Sequence, residues 1–428
     1  MRRFTVEFTA KNLTGNAGLV NFGRFVDKLG LRQMLEQHIT IKRGANAKHS
    51  ISDGIIMLIM SVLSGAKHMN HLAIIRKDTV IRTLFAWKGF PDNRTFGRLF
   101  RLFNHAHCNE LSEVEHKARK KVWSKKWFGR ITLDMDSTVK EVYGSQEGTE
   151  KGYNPKKNGQ KSYHPLLCFI AETRECLNSW FRTGSAYSAN GAVEFMKECF
   201  NRLPKRVWKV FVRGDNSFFD GKLLDFLEEK ESQYLIKVKM INLPSLLMQQ
   251  SWRKAKNKPD TETTEFEHKC HGWKRARRFV AIRVLLKNET KNTLFPIPQY
   301  EFFCYVTNLG LTPWKAHKCY GKRSTSENWI EWCKNQMASG SILTHDFWAN
   351  SAIFQSCILA YNLLVWMMWL NAEKGFREEP DTIRFWLIHV PARLIYSGHQ
   401  WFLKLEKNYV FKEHWQDIES SISALSFD

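Results

Sequence analysis

Three carboxylates stand where an α/β sheet presents reactive groups, at the ends of apolar strands or just beyond them. Asp136 closes the run "ITLDMD", Asp215 directly follows "VFVRG", and Glu327 lies on a helical stretch after "EFFCYV". They are 79 and 112 residues apart in the chain, yet such positions converge at one edge of a single sheet. Carboxylates are hard oxygen ligands suited to Mg²⁺ or Mn²⁺. Three of them can hold two ions roughly 4 Å apart, one activating a water or 3′-hydroxyl and one stabilising the leaving oxygen. Asp136, Asp215 and Glu327 are therefore expected to be both the catalytic and the metal-binding set, and the chemistry they suit is phosphodiester cleavage and transfer.

Asp134 complicates the first strand. Side chains two apart on a strand point the same way, and a buried carboxylate must be neutralised, paired or bound to a cation. Asp136 is read as the metal ligand. Asp134, one strand step deeper, is read as a neighbour that orients a ligand or pairs with a basic group. The stretch "YGKRSTSENWIEWCK" places Tyr320, Arg323, Glu327 and Lys334 at offsets 0, 3, 7 and 14. At about 100° per residue these fall within about 60° on one face of a continuous helix. Arg323 and Lys334 suit backbone phosphates, one as a planar fork and the other as a point charge.

The elements needed to hold these groups are legible. Residues 131–240 alternate strand and helix signals: "ITLDMDSTVKEVYG", "SYHPLLCFIA" and "VWKVFVRGDNSFF" as strands, "NGAVEFMKECFNRL" and "DGKLLDFLEEKE" as helices, then "QYLIKVKM". That is an α/β layout. Residues 241–300 break the rhythm with hairpin-like, basic segments: Lys269 to Lys287 holds seven Lys or Arg and no acid. The pattern resumes with a strand at 301–309 and a long helix over "TSENWIEWCKNQM". Residues 1–125 read as helical, with a helix over 51–65 capped near Ser52 or Asp53 and another opened by Thr95. Residues 371–428 are expected to be helical as well. The expected division is a helical basic DNA-binding region at 1–125, a catalytic core at 126–240 and 301–370, a β-rich insertion at 241–300, and a helical C-terminal region at 371–428.

Charge points to the partner. The chain of 428 residues carries 65 Lys plus Arg against 42 Asp plus Glu, a net +23, which favours long polyanions. The first 130 residues hold 24 basic and nine acidic side chains, and Arg94, Arg98 and Arg101 lie off the apolar side of their helix; Arg98 is the expected DNA contact there, a solvated face being the plainer alternative. The loop after the first strand offers Tyr153, Asn154, Lys156, Lys157, Lys161, Tyr163 and His164 beside the metal centre as grips on a DNA end, a flexible basic loop being the plainer alternative. The nine cysteines contain no CxxC pair, and "MRRFTVEF" has no apolar signal region. Both suggest a cytoplasmic, nucleoid-associated protein with reduced thiols. His268, Cys270 and His271 are too close together for a tetrahedral metal site without distant ligands. The apolar run 351–370 is roughly long enough to span a membrane, but Gln355 and Asn362 interrupt it, and a buried core helix with no membrane role is expected.

These residues together resemble the bacterial insertion-sequence transposases of the DDE class. The signature Y-x2-R-x3-E-x6-K is matched by Tyr320, Arg323, Glu327 and Lys334. The family's first aspartate falls on Asp136 in "DMDST", and its second, in an R-x-D-x-x-F context, on Asp215 in "RGDNSF". The block "EGTEKGYNPKKNGQKSYHPLL" resembles the insertion sequence 1380-like subgroup. The resemblance implies an RNase H-like catalytic core, a mixed sheet flanked by helices, with a β-rich insertion. It implies cut-and-paste transposition with two Mg²⁺ or Mn²⁺ ions, acting on the double-stranded terminal inverted repeats and on target DNA. It also implies a homodimer that synapses two ends, phosphate contacts from Tyr320 and Arg323, and an insertion-domain Trp, Trp273 or Trp252, stacking on a flipped base. A metal-dependent nuclease without strand transfer, and a non-catalytic DNA-binding derivative, are the alternatives.

Overall fold

The computed structural model describes residues 1–152, 157, 159–186, 190–239, 243–286, 299–372 and 378–427. The chain forms two compact units, one made of Met1–Trp127, Glu141–Thr149 and Ile330–Asp428, the other of Phe128–Lys140 and Glu150–Trp329.

The second unit is built on a nine-stranded mixed sheet. Its strands in chain order are β1 (Arg130–Ser137), β2 (Leu166–Ile170), β3 (Cys176–Trp180), β4 (Lys209–Gly214), β5 (Gln233–Lys237), β6 (Arg253–Ala255), β7 (Lys258–His268), β8 (Arg277–Leu285) and β9 (Tyr300–Thr307). In space they run β6-β7-β8-β9-β5-β4-β1-β2-β3. β1, β2 and β3 form an antiparallel meander. β4 pairs parallel to β1, and β5 parallel to β4. The crossovers are helices Ala192–Asn201 and Gly221–Glu229, the second capped by the Asp220 side chain, which accepts from the Leu223 N–H. Ile131, Leu133, Met135, Phe211, Val212, Leu235 and Ile236 are all buried. Neighbouring residues on these strands face opposite sides, so both faces of the centre are covered and the sequence there reads as continuous apolar runs.

The irregular region 241–300 adds its strands to the same sheet: β8 joins β9 in antiparallel register from Phe279↔Val306 to Leu285↔Tyr300. Helix Pro313–Gly321 then lies on a core of Phe211, Leu235, Val280, Ile282, Tyr305 and Ala316.

The first unit is helical around Phe347–Asn371, which packs on Ile51–Leu63 and His105–Ser124. This helix is long and apolar enough to cross a membrane, but 78% of its apolar window is buried inside the protein. Its interrupting Asn362 donates to Glu115 Oε1 at 2.6 Å, and Arg119 pairs with the same oxygen at 2.7 Å. Helix Ile51–Leu63 is capped two to three residues earlier than the sequence suggested, by Ser50, whose hydroxyl accepts from the Asp53 N–H.

The C-terminal region is not wholly helical. Ala392–Ser397 and Gln400–Leu405 form a hairpin that pairs with Leu13–Thr14, and only Lys412–Ala424 is a helix after it. Gly398 and His399 both have positive φ, 54° and 59°, the two-residue loop whose twist matches the flanking strands. The Ser-Gly-His-Gln turn was the signal for it.

Candidate active site

β1 and β4 are in parallel register from Arg130↔Lys209 to Met135↔Gly214. One step past that last pair come Asp136, the next residue of β1, and Asp215, the first residue beyond β4, on backbones about 4.8 Å apart at the last pair. Asp136 Oδ1 accepts from the Ser137 N–H at 2.8 Å. Asp215 caps the short turn Asn216–Phe218, accepting from the Ser217 N–H at 2.9 Å and the Ser217 hydroxyl at 3.3 Å.

The third segment arrives from helix Pro313–Gly321. Its Tyr320 ring packs on Tyr305, centroids 4.7 Å apart. A single helix through Tyr320, Arg323, Glu327 and Lys334 does not form. The chain turns at Lys322 and Arg323, and a new helix runs Ser324–Glu331. Lys334 belongs to the first unit and lies in the π-helical turn Trp332–Gln336, where the 100° arithmetic no longer applies.

The break brings Arg323 to the aspartates. Its Nη2 lies 2.7 Å from Asp136 Oδ2 and donates to the Met135 carbonyl at 3.1 Å, while Nη1 stands 3.9 Å from Glu327 Oε1. The Arg323 side chain is 6% exposed and that of Glu327 68%. One buried guanidinium thus sits between two of the three carboxylates, with its Nε buried and lacking a hydrogen-bond partner among the described residues.

Electrostatics ties the third carboxylate in. Burial pushes Asp136 up to about 6, with the charges of Asp215 and Glu327 adding to the rise and Arg323 opposing it. Tyr320 is pushed up to about 12 by burial, against Arg323 and with all three carboxylates reinforcing. Arg323 itself is raised, its own desolvation outweighed by Asp136 and other nearby groups. Among the described residues no three His, Cys, Asp or Glu side chains stand at metal-ligand spacing. The donor set nevertheless fits a hard divalent cation in type: three carboxylates repelling one another around one buried arginine.

Asp134 resolves as a partner of Arg213. The two are register neighbours on β1 and β4, joined by a fork of two 2.6 Å hydrogen bonds. Sequence reasoning singled out Asp134 and overlooked Arg213, although the R-x-D spacing placed it two residues before Asp215.

The remaining expected residues are spread more widely. Lys157 and Lys161 are exposed, Lys161 on the short strand Lys161–Tyr163, while Tyr153, Asn154 and Lys156 lie outside the described residues. Tyr163 and His164 are buried; His164 Nε2 lies 3.2 Å from the Ser137 hydroxyl, next to Asp136. Trp273 packs against Phe219 and Phe279 with the Arg277 guanidinium 4.8 Å from its ring centroid. Trp252 holds the Leu247 carbonyl and lies under Arg283. Arg98 is exposed in the first unit, whereas Arg101 is paired with Asp346 at 2.8 Å.

A family model described as "Transposase DDE domain group 1" matches residues 1–427. The chain belongs to that DDE transposase family. No curated protein matches the DDE transposase chain. A solved structure, the cryo-EM structure of the piggyBac transposase synaptic complex with hairpin DNA, is similar over 86% of this chain and 78% of that one. The identity is 14% and the TM-score 0.47.

Proposed function

We propose that this DDE transposase cleaves the ends of its element and joins the freed 3′-hydroxyl to target DNA, with Asp136, Asp215 and Glu327 as the acidic set. The observation that carries this reading is the meeting of Asp136, on the strand end beside Asp215, with Arg323 and Glu327 from a distant part of the chain. The order of the five strands β3-β2-β1-β4-β5, an antiparallel meander followed by two parallel strands, supports an RNase H-like core. The spacing of Tyr320, Arg323, Glu327 and Lys334 supports placement near the insertion sequence 1380-like subgroup, with 241–300 as its β-rich insertion.

The three carboxylates would hold Mg²⁺ or Mn²⁺, two ions in the full site, which supply charge to activate a nucleophile and stabilise a leaving oxygen. The chain's own groups do the rest. β1 and β4 fix two ligands on adjacent rigid strands. Arg323, held through Nη2 to Asp136 and the Met135 carbonyl, would turn its Nη1 edge to a phosphate, and Lys157, Lys161 and Arg98 add positive charge for the DNA backbone. Lys334, Tyr320 and Trp273 keep the DNA-contact roles expected of them. The partners are double-stranded inverted repeats and target DNA, the working assembly a homodimer, and the compartment the cytoplasm.

Incubation with the inverted repeats flanking its own gene, in Mg²⁺ or Mn²⁺, tests this directly. Cut element ends and 3′-joined products are expected. Cutting without joining would make the protein a nuclease instead, and binding without metal-dependent cutting would make it a non-catalytic DNA-binding derivative.

A further inference from the structure

We infer that Arg213 and Asp134 are positioning residues that set the spacing of the acidic site; the inference rests on the proposed metal-dependent reading of that site. Arg213 donates through Nε and Nη2 to the two oxygens of Asp134, each at 2.6 Å, and through Nη1 to the Cys319 carbonyl at 3.0 Å. The side chains are 5% and 0% exposed. One guanidinium therefore ties together three segments. Asp134 is two residues before Asp136, Arg213 two before Asp215, and Cys319 four before Arg323.

The third bond holds the point where the helix ends and the chain turns toward Asp136. In a continuous helix the Cys319 carbonyl would accept the Arg323 N–H. Here Arg213 takes that carbonyl, and the Arg323 N–H closes on Tyr320 O at 2.8 Å. The helix ends in a tight turn, and the Arg323 side chain reaches Asp136 instead of running along a helix face. A carbonyl at a helix C-terminus is a natural partner for a cation.

Stability alone does not explain such a group. A buried ion pair often adds little over apolar side chains of the same volume. What apolar side chains cannot supply is a rigid fork bound to one carboxylate and a third N–H aimed elsewhere, nor can lysine with its single ammonium.

The test is Mn²⁺ binding by calorimetry on the full chain, beside thermal melting and cleavage of the element ends. The double variant Asp134→Leu/Arg213→Met removes the fork and the link to Cys319 while filling the space. It is expected to melt near the wild type yet bind Mn²⁺ about 10–100-fold more weakly, as loss of a ligand-orienting partner does elsewhere, with cleavage shifted to higher metal concentration. Should the double variant fail to fold, Arg213→Lys keeps a charge against Asp134 but loses the planar two-point fork that fixes that carboxylate, and the same weakening is expected. Wild-type Mn²⁺ affinity in a folded variant of either kind overturns the inference. Asp136→Asn in the otherwise unchanged chain separates the two layers. If it leaves Mn²⁺ binding intact, the carboxylate site is wrong; if it abolishes binding while the Arg213 variants bind normally, only the positioning role falls.

Discussion

Arg323 reaches Asp136 at 2.7 Å although the two are 187 residues apart in the chain, and it is the cation that neutralises that aspartate in the protein by itself. The pair is almost fully buried, with Glu327 on the other side of the same guanidinium. Removing the arginine leaves a charge in a place that water reaches poorly.

Arg323→Gln is accordingly expected to destabilise the metal-free chain by about 3–5 kcal/mol, the usual consequence of stranding one member of a buried pair. Mn²⁺ should then raise its melting temperature more than it raises that of the wild type, because a bound cation replaces the missing one; at 100-fold excess over Kd the gain is about 2.7 kcal/mol. Melting curves with and without Mn²⁺ measure both. An equal rise in the two proteins would show that Arg323 and the metal do not share Asp136.

The raised Asp136 gives the site a pH dependence. With its carboxyl pushed up to about 6, the metal-free fold holds this proton more tightly than the unfolded chain does. That contribution to stability is present at low pH and is lost as pH rises through about 6. Mn²⁺ binding runs the other way, since it needs the ionised form. Affinity is expected to be level above about pH 7 and to fall about tenfold per unit below 6. Calorimetry from pH 5 to 8 checks this; an affinity unchanged down to pH 5 would remove Asp136 from the ligand set.

Asp136→Asn, Asp215→Asn and Glu327→Gln should each lower single-turnover cleavage of the element ends by about 10²–10³-fold or more, the scale of losing one preorganised charge-stabilising group. Binding of the same DNA without metal should persist. A variant that keeps wild-type cleavage is not one of the three.

Lys157 and Lys161 are exposed on the segment that leaves the Asp136 strand. If both contact phosphates, Lys157→Ala/Lys161→Ala lowers the slope of log affinity against log salt by about 1.8, roughly 0.9 for each lost contact. Titration of labelled end DNA at four salt concentrations reads this. An unchanged slope assigns the two lysines to solvent.

Much of the site is written locally. Asp136 and Asp215 are legible because a buried strand must be apolar, so a carboxylate at its end stands out whatever the rest of the chain does. Most of the elements from Arg130 to Lys237 follow for the same reason, although the first strand ends at Ser137 and not at Gly144, and the segment from Ser162 is broken between Tyr163 and Leu166. The hairpin at 392–405 was equally local, but Trp-rich surroundings hid its alternation and its Gly-His turn.

Tertiary structure decided the rest. The sequence determined which residue types were available and which strands and helices would carry them. It could not specify that Arg213 would take the Cys319 carbonyl, because that bond joins segments 106 residues apart. Helical arithmetic assumes that each carbonyl is bonded four residues on, and here the Arg323 N–H bonds Tyr320 O instead while Arg213 holds the Cys319 carbonyl. Asp134 shows the same limit from the other side: its need to be neutralised or paired was evident from the strand alone, and only the parallel register of β1 with β4 named Arg213 as the partner.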